Sequence, residues 1–411
     1  MDLGIAVMVL SVLAGGYMAW NIGANDVANS MASAVGAKAI TLRQAVIIAG
    51  LLTFIGATFV GSHVTQTIRQ GIIDPSVITD PKLILLGLLS ALLAAALWVF
   101  FATVKSLPVS TTHSIVGAMV GFGLIVGGPS VVNWFKLLGI VVGWIISPIL
   151  SGIAAFFLFR VIDKVVLSRM DTLGGAVSTT PILIAIAVFV MTLSLFLKTP
   201  LSVKLGITGI FVMLVPLLCA FAIYGAAWLF LRSVLPKLNI SGGEEIFRYL
   251  QVMTSCYVAL GNGANDVANA MGPLSGIYFI LATGSASTHV PVPMWLLAFG
   301  GIMITVGIFT MGYRVIYTLG SRITQLTNSR GFTVDFSTAS IILSASMLGL
   351  PVSTTHAAVG AFVGVGLAGG LQALDLRILW KIVVYWMITV PVAAATSAVI
   401  YLILSTIFSG W

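Results

Sequence analysis

The heptapeptide GANDVAN occupies residues 23 to 29 and returns letter for letter at 263 to 269. A second motif, PVSTTH, follows each copy, at 108 to 113 and at 351 to 356. Agreement extends beyond the motifs: GAMVGFGL at 117 to 124 matches GAFVGVGL at 360 to 367, and Trp144 with Pro148 parallels Trp386 with Pro391. Such self-similarity divides the chain into two homologous halves, 1 to 165 and 244 to 411, joined by a connecting segment, 166 to 243.

The solvent around these motifs follows from composition. Mean hydropathy is +1.14, and only 7% of the 411 residues are charged, against about a quarter in soluble domains. The chain belongs in a bilayer. Apolar runs near 3 to 20, 44 to 62, 83 to 104, 114 to 128, 137 to 159, 181 to 197, 205 to 231, 246 to 261, 292 to 313, 336 to 350, 357 to 371 and 378 to 408 predict about twelve crossings. Unbroken runs indicate helices, because a membrane β-barrel would alternate in short segments. The first run starts at Asp2 without a basic leader and reads as a retained helix. Cys219 and Cys256 read as buried thiols outside any disulfide framework.

The connecting segment carries two further runs, so seven crossings precede the second half at 244. Seven is odd, and the second half enters the membrane upside down. The basic residues agree: with the N-terminus outside, only Arg69, Lys82, Lys136, Lys198 and Lys204 fall outside, and the other 14 of the 19 Lys and Arg fall inside. The net charge of +8 therefore reports topology, with no nucleic acid implied. The expected fold is an all-α polytopic protein of a plasma or inner cell membrane, with both termini outside. Its two inverted-topology repeats contain broken or re-entrant helices at mid-membrane.

Asp26 ends the uncharged run from Leu3 to Asn25, and Asp266 follows a stretch from Ile246 to Asn265 whose only charge is Arg248. A break in each helix is expected here, with Gly23 loosening the backbone and asparagines replacing lost backbone partners. One such Asp could be a loop carboxylate in the headgroup zone; two in identical heptapeptides point to function, because acids within a membrane are costly. Asp and Asn oxygens suit a hard cation such as Na+.

In PVSTTH, Pro108 and Pro351 are expected in the first turn of a helix, followed by Ser110, Thr111, Thr112 and by Ser353, Thr354, Thr355. A helix start offers unpaired N–H groups and partial positive charge, which hold an anion. Either copy alone reads as ordinary capping; duplicated and inverted, the two can bracket one tetrahedral oxyanion. The two motifs share no Lys or Arg, so an anion beside Asp26 and Asp266 must bring cations with it, and symport follows. His113 and His356 are expected to donate to a carbonyl one turn away, with proton carriage as the alternative. His63 and His289 have no repeat partners and carry no assignment.

GANDVANSMASAVGAKAIT at 23 to 41, GNGANDVANAMGPLSG at 261 to 276 and the two PVSTTH copies resemble the paired signatures of the PiT inorganic phosphate transporter family, also called solute carrier family 20. The resemblance implies a secondary active symporter importing inorganic phosphate with Na+ by alternating access. Carried over by position, it implies phosphate binding at Ser110, Thr111, Thr112, Ser353, Thr354, Thr355, Asn25 and Asn265, and Na+ binding at Asp26, Asn29, Asp266 and Asn269. Na+ is then a cotransported ion, with no covalent cofactor. The implied partners are phosphate, Na+ and membrane lipid, with a homodimer as an option. Some members have a long hydrophilic central loop; here the centre is short and apolar.

The alternatives within transport are an H+-coupled phosphate or metal–phosphate permease and a sulfate permease. A hydrolase triad of Asp26, Ser110 and His113 is disfavoured, because every element is doubled and no nucleophile elbow is present. A passive anion channel fits poorly with paired acids. Two further stretches read as helix caps: Ser241 with Glu244 at capping-box spacing, and DFSTAS at 335 to 340.

Overall fold

A computed structural model describes residues 3–61, 72–73, 78, 80–198, 205–233, 240, 242–284, 292–347, 352–370 and 374–408. Their helices are α1 (Leu3–Asp26), α2 (Ala28–Gly36), α3 (Leu42–Val60), α4 (Pro81–Val104), α5 (Thr111–Gly127), α6 (Trp134–Ile162), α7 (Thr172–Lys198) and α8 (Phe211–Ser233). Then come α9 (Gly243–Thr283), α10 (Met294–Met311), α11 (Tyr313–Arg322), α12 (Asn328–Met347), α13 (Thr354–Ala368) and α14 (Leu376–Ile407). Among the described residues, each of the twelve apolar runs overlaps a helix. Nine helical stretches among the described residues are long and apolar enough to span a bilayer, α1 with α2 forming one of them. The rest of the twelve are α9 and α12, each with several buried polar groups, and the short α13.

Helix starts follow local chemistry. Thr41 and Gln44 form a capping box on α3, and Asp80 caps α4 with Pro81 in its first turn. Asn133 on α6 and Asp375 on α14 cap at matching places in the two halves. Proline lies within both helices, Pro148 in α6 and Pro391 in α14.

The halves interlock. Helix α1 packs on α10 and α9 on α3, while α5 packs on α14 and α13 on α6. Gly23 lets α1 touch the Ile304 carbonyl of α10, and Gly263 lets α9 touch the Thr53 carbonyl of α3. The motif glycine is therefore a close-packing residue, and the expectation that it loosens the helix is corrected. The continuous apolar core includes Met31, Leu89, Phe122 and Phe362.

Several sequence expectations change. The helix break occurs only in the first copy of GANDVAN, at Val27 between α1 and α2; the second copy lies within the unbroken 41-residue α9. Seven residues are too few to decide between the two; the packing around them does. Pro273 of α9 removes the hydrogen bond that would reach the Asn269 carbonyl, loosening the backbone just past the motif. Pro108 lies outside the first turn, because Ser110 is the N-cap of α5; Pro351 is outside the described residues. The N-cap of α9 is Gly242, with no side-chain cap. Glu244 instead accepts from the Ser329 N–H and hydroxyl at 2.9 and 2.5 Å, and Ser241 is outside the described residues. DFSTAS lies within α12, not at its start. Cys219 is exposed and Cys256 half-buried, both free thiols, so the expectation that both are buried is corrected. His63 and His289 are outside the described residues.

Candidate functional site

The starts of α5 and α13 carry the hydroxyl clusters. Ser110 and Ser353 are their N-caps and accept from the N–H groups of His113 and His356 at 3.2 and 3.3 Å. The capping role expected for one copy alone is thus present at both serines. The threonines behind them face the asparagine and aspartate motifs.

Asp26 joins both helix starts. Its Oδ2 accepts from Thr111 at 2.6 Å, and its Oδ1 from Thr355 at 3.4 Å. The asparagines cross between halves. Asn29 donates to Thr354 and Thr355 at 3.3 and 3.0 Å, and Asn269 donates to Thr111 and Thr112, both at 3.2 Å. Each GANDVAN copy is therefore bonded to the hydroxyl cluster of the opposite half.

Asp266 stands differently. Its Oδ1 accepts from Asn265 at 3.0 Å, and its Oδ2 is buried without a partner, as are Asn29 Oδ1 and Asn269 Oδ1. Asp26 and Asp266 both line one cavity, with Gly23, Ser30, Thr53 and Asn262 among its walls. The two carboxylates are only 3% and 2% exposed, and no Lys or Arg lines that cavity.

The remaining predicted residues sit apart from this cluster. Asn25 donates to Thr103 Oγ1 and the Leu107 carbonyl at 2.9 and 3.1 Å, and accepts from the Val109 N–H at 3.1 Å. Its side chain is spent on positioning the approach to α5. Asn265 donates to neighbouring Asp266 rather than to either hydroxyl cluster. His356 Nδ1 lies 3.0 Å from the Trp144 carbonyl on another helix, while both ring nitrogens of His113 are unpartnered. The expected bond to a carbonyl one turn away is therefore absent: these rings face neighbouring helices.

One polar centre was missed by sequence reasoning. Asp335 of α12, 1% exposed, accepts from Ser33 at 2.6 Å and Ser255 at 2.5 Å. Gln251, one turn before Ser255, is fully buried with both amide atoms unpartnered, against Gly331, one turn before Asp335. The signal was present: an acid at the start of an apolar run, facing a helix with Gln251, Thr254 and Ser255 at helical spacing.

Comparison with known proteins addresses the chain as a whole. The model of the phosphate transporter family matches residues 22–397. A protein named as a phosphate permease from Pyrococcus abyssi is 49% identical over 398 residues, covering 97% of this chain and 98% of its own. Inorganic phosphate transporter 2-1, chloroplastic, of Arabidopsis thaliana is 40% identical over 426 residues, covering 95% of this chain and 71% of its own. A solved structure described as the sodium-dependent phosphate transporter is 44% identical, with a TM-score of 0.89, covering 98% of this chain and all of that one. The fold is thus the expected one, an all-α polytopic membrane protein built from two inverted repeats, and the chain belongs to the phosphate transporter family.

Proposed function

We propose that this chain is a secondary active symporter that carries inorganic phosphate with Na+ through a plasma or inner cell membrane by alternating access. One observation carries the proposal: the starts of α5 and α13, each bonded to the GANDVAN copy of the other half, converge on Asp26 without a Lys or Arg among them.

Phosphate takes its place at Ser110, Thr111, Thr112, Ser353, Thr354 and Thr355, held by hydroxyls and first-turn N–H groups. Asn25 acts one step removed, by fixing the strand of chain that enters α5; Asn265 orients Asp266. Asp26, Asn29, Asp266 and Asn269 supply hard oxygens for Na+, three of which have no other partner. Phosphate beside two carboxylates amounts to about three to four negative charges in a low-dielectric space, more than two helix ends can offset. Cations and anion therefore bind together. Asp335, a third buried acid among hydroxyls, calls for a compensating charge of its own, so three Na+ match the acids of the membrane interior.

The basic-residue asymmetry supports an orientation with both termini outside. Labelled phosphate uptake into proteoliposomes, with Na+ and pH gradients imposed separately, tests the proposal. Accumulation driven by the Na+ gradient alone supports it. Uptake driven only by the pH gradient would replace it with H+ coupling, and competition by sulfate at equal strength would reassign the anion.

A further inference from the structure

Four aromatic rings meet where the two halves join. Trp144 of α6 lies on His113 of α5 with centroids 3.6 Å apart, His113 meets His356 of α13 at 4.3 Å, and His356 stacks on Trp386 of α14 at 3.7 Å. The histidines end the two PVSTTH copies and the tryptophans hold matching places in the two halves, so the row is symmetric in its residues. It is asymmetric in its bonds.

His356 Nδ1 lies 3.0 Å from the Trp144 carbonyl. A carbonyl only accepts, so this ring carries its proton on Nδ1. The carbonyl is available for a chemical reason: four residues on stands Pro148, which has no N–H to complete the helical bond. The other half has its proline one residue later, five residues after Trp386 where Pro148 is four after Trp144. Pro391 in α14 leaves the Met387 carbonyl without a helical donor. Gly117 of α5 packs against Val390 of α14, which brings His113, one turn earlier, beside the turn that holds Trp386 and Met387. Yet neither ring nitrogen of His113 has a partner, and it is 3% exposed. The histidine of one half is bonded to its proline turn, and the histidine of the other half is unbonded beside a proline turn whose free carbonyl is shifted by one residue.

From this we infer that His356 and His113 are positioning residues forming a pair of alternating latches. The bond from His356 to the Trp144 carbonyl holds the conformation described here, and a bond from His113 to the Met387 carbonyl holds the oppositely facing one. The inference rests on the alternating-access reading above. In inverted repeats the two facings arise by exchanging the conformations of the halves, so a contact made in one half only is exchanged with them. Each proline turn has a free carbonyl and little helical restraint, and it bends more readily when its imidazole donor is withdrawn.

The test uses the full chain in proteoliposomes, with Cys219 and Cys256 replaced by Ala and a single reporter, Ser30→Cys, in the wall of the Asp26 and Asp266 cavity. A membrane-impermeant maleimide is added from one side at a time, and labelling is followed from the side that reaches Cys faster in the parent. His356→Phe removes the latch of the present conformation and is expected to slow that labelling about threefold, the population change given by one hydrogen bond of ordinary net strength. His113→Phe removes the opposite latch and is expected to speed it by a similar factor. His356→Asn, which keeps an N–H donor, is expected to return toward the parent rate. A merely structural role predicts changes of the same sign in both Phe variants. Same-sign changes, or none, in a parent whose labelling responds to Na+ and phosphate would overturn the inference while leaving the transport reading intact. A parent that neither responds to them nor takes up phosphate would remove the transport reading and the latch with it.

Discussion

Asn269, in the second copy of the heptapeptide, donates through Nδ2 to Thr111 at the start of α5, at 3.2 Å. Asn29 makes the mirror bond to Thr354 at 3.3 Å and a shorter one to Thr355 at 3.0 Å. Neither half thus completes the site alone. A cross-half bond of this kind lets movement of one half be felt at the helix start that the other half contributes. In a two-step double-mutant cycle, Asn29→Ala and Thr355→Val are expected to couple by about 1 kcal/mol in phosphate affinity. Asn269→Ala with Thr111→Val should behave alike; additive effects in both cycles would show that the bonds are incidental.

Replacing Asp26 or Asp266 by Asn keeps the size of each side chain and removes its charge. Na+-driven phosphate uptake is expected to fall by at least about tenfold, equivalent to about 1.4 kcal/mol, with folded protein still in the membrane. Uptake rates normalised to protein recovered from the vesicles check this. Normal Na+ dependence in both variants would contradict a coupling role.

Ser110→Ala removes a helix cap as well as a hydroxyl, so it is expected to lower stability by about 1 kcal/mol and to weaken phosphate affinity. Thr354→Ala lacks the capping cost. Both should change the half-saturating phosphate concentration more than the half-saturating Na+ concentration, which paired uptake titrations measure.

The close approaches at Gly23 and Gly263 are testable through stability. A methyl group at either would meet a backbone carbonyl, of Ile304 or of Thr53, and a backbone cannot step aside as a flexible side chain does. Gly23→Ala and Gly263→Ala are expected to cost about 1–3 kcal/mol, visible as a lower thermal midpoint of the detergent-solubilised chain. Unchanged midpoints would mean that the helix crossings are looser than described.

Asp335→Asn removes the third buried charge. The dependence of uptake on Na+ concentration is expected to become less steep while phosphate selectivity stays the same. An unchanged steepness would make Asp335 a structural partner of Ser33 and Ser255.

The repetition of the sequence made much of this legible. Doubling singled out Asp26 with Asp266, the hydroxyl clusters and the odd number of crossings between them, because a chance motif has little reason to recur at matching places. What repetition did not mark stayed hidden. Asp335 has no counterpart in the first half, and an apolar neighbourhood made DFSTAS resemble a cap. The helix break illustrates a second limit: identical heptapeptides lie in a broken helix and in an unbroken one, since distant packing overrides local propensity. Asn25 was grouped with the anion ligands because sequence spacing cannot reveal that its amide faces the 103–109 turn.

Phosphate binding at equilibrium, measured on the purified chain over a range of Na+ concentrations with choline as the replacement ion, is the most direct measurement. If the anion is held only where cations offset Asp26 and Asp266, phosphate affinity rises with Na+, and phosphate raises Na+ affinity by the same factor; Asp26→Asn and Asp266→Asn flatten both dependences. Tight phosphate binding that is indifferent to Na+ in the parent chain would contradict the account.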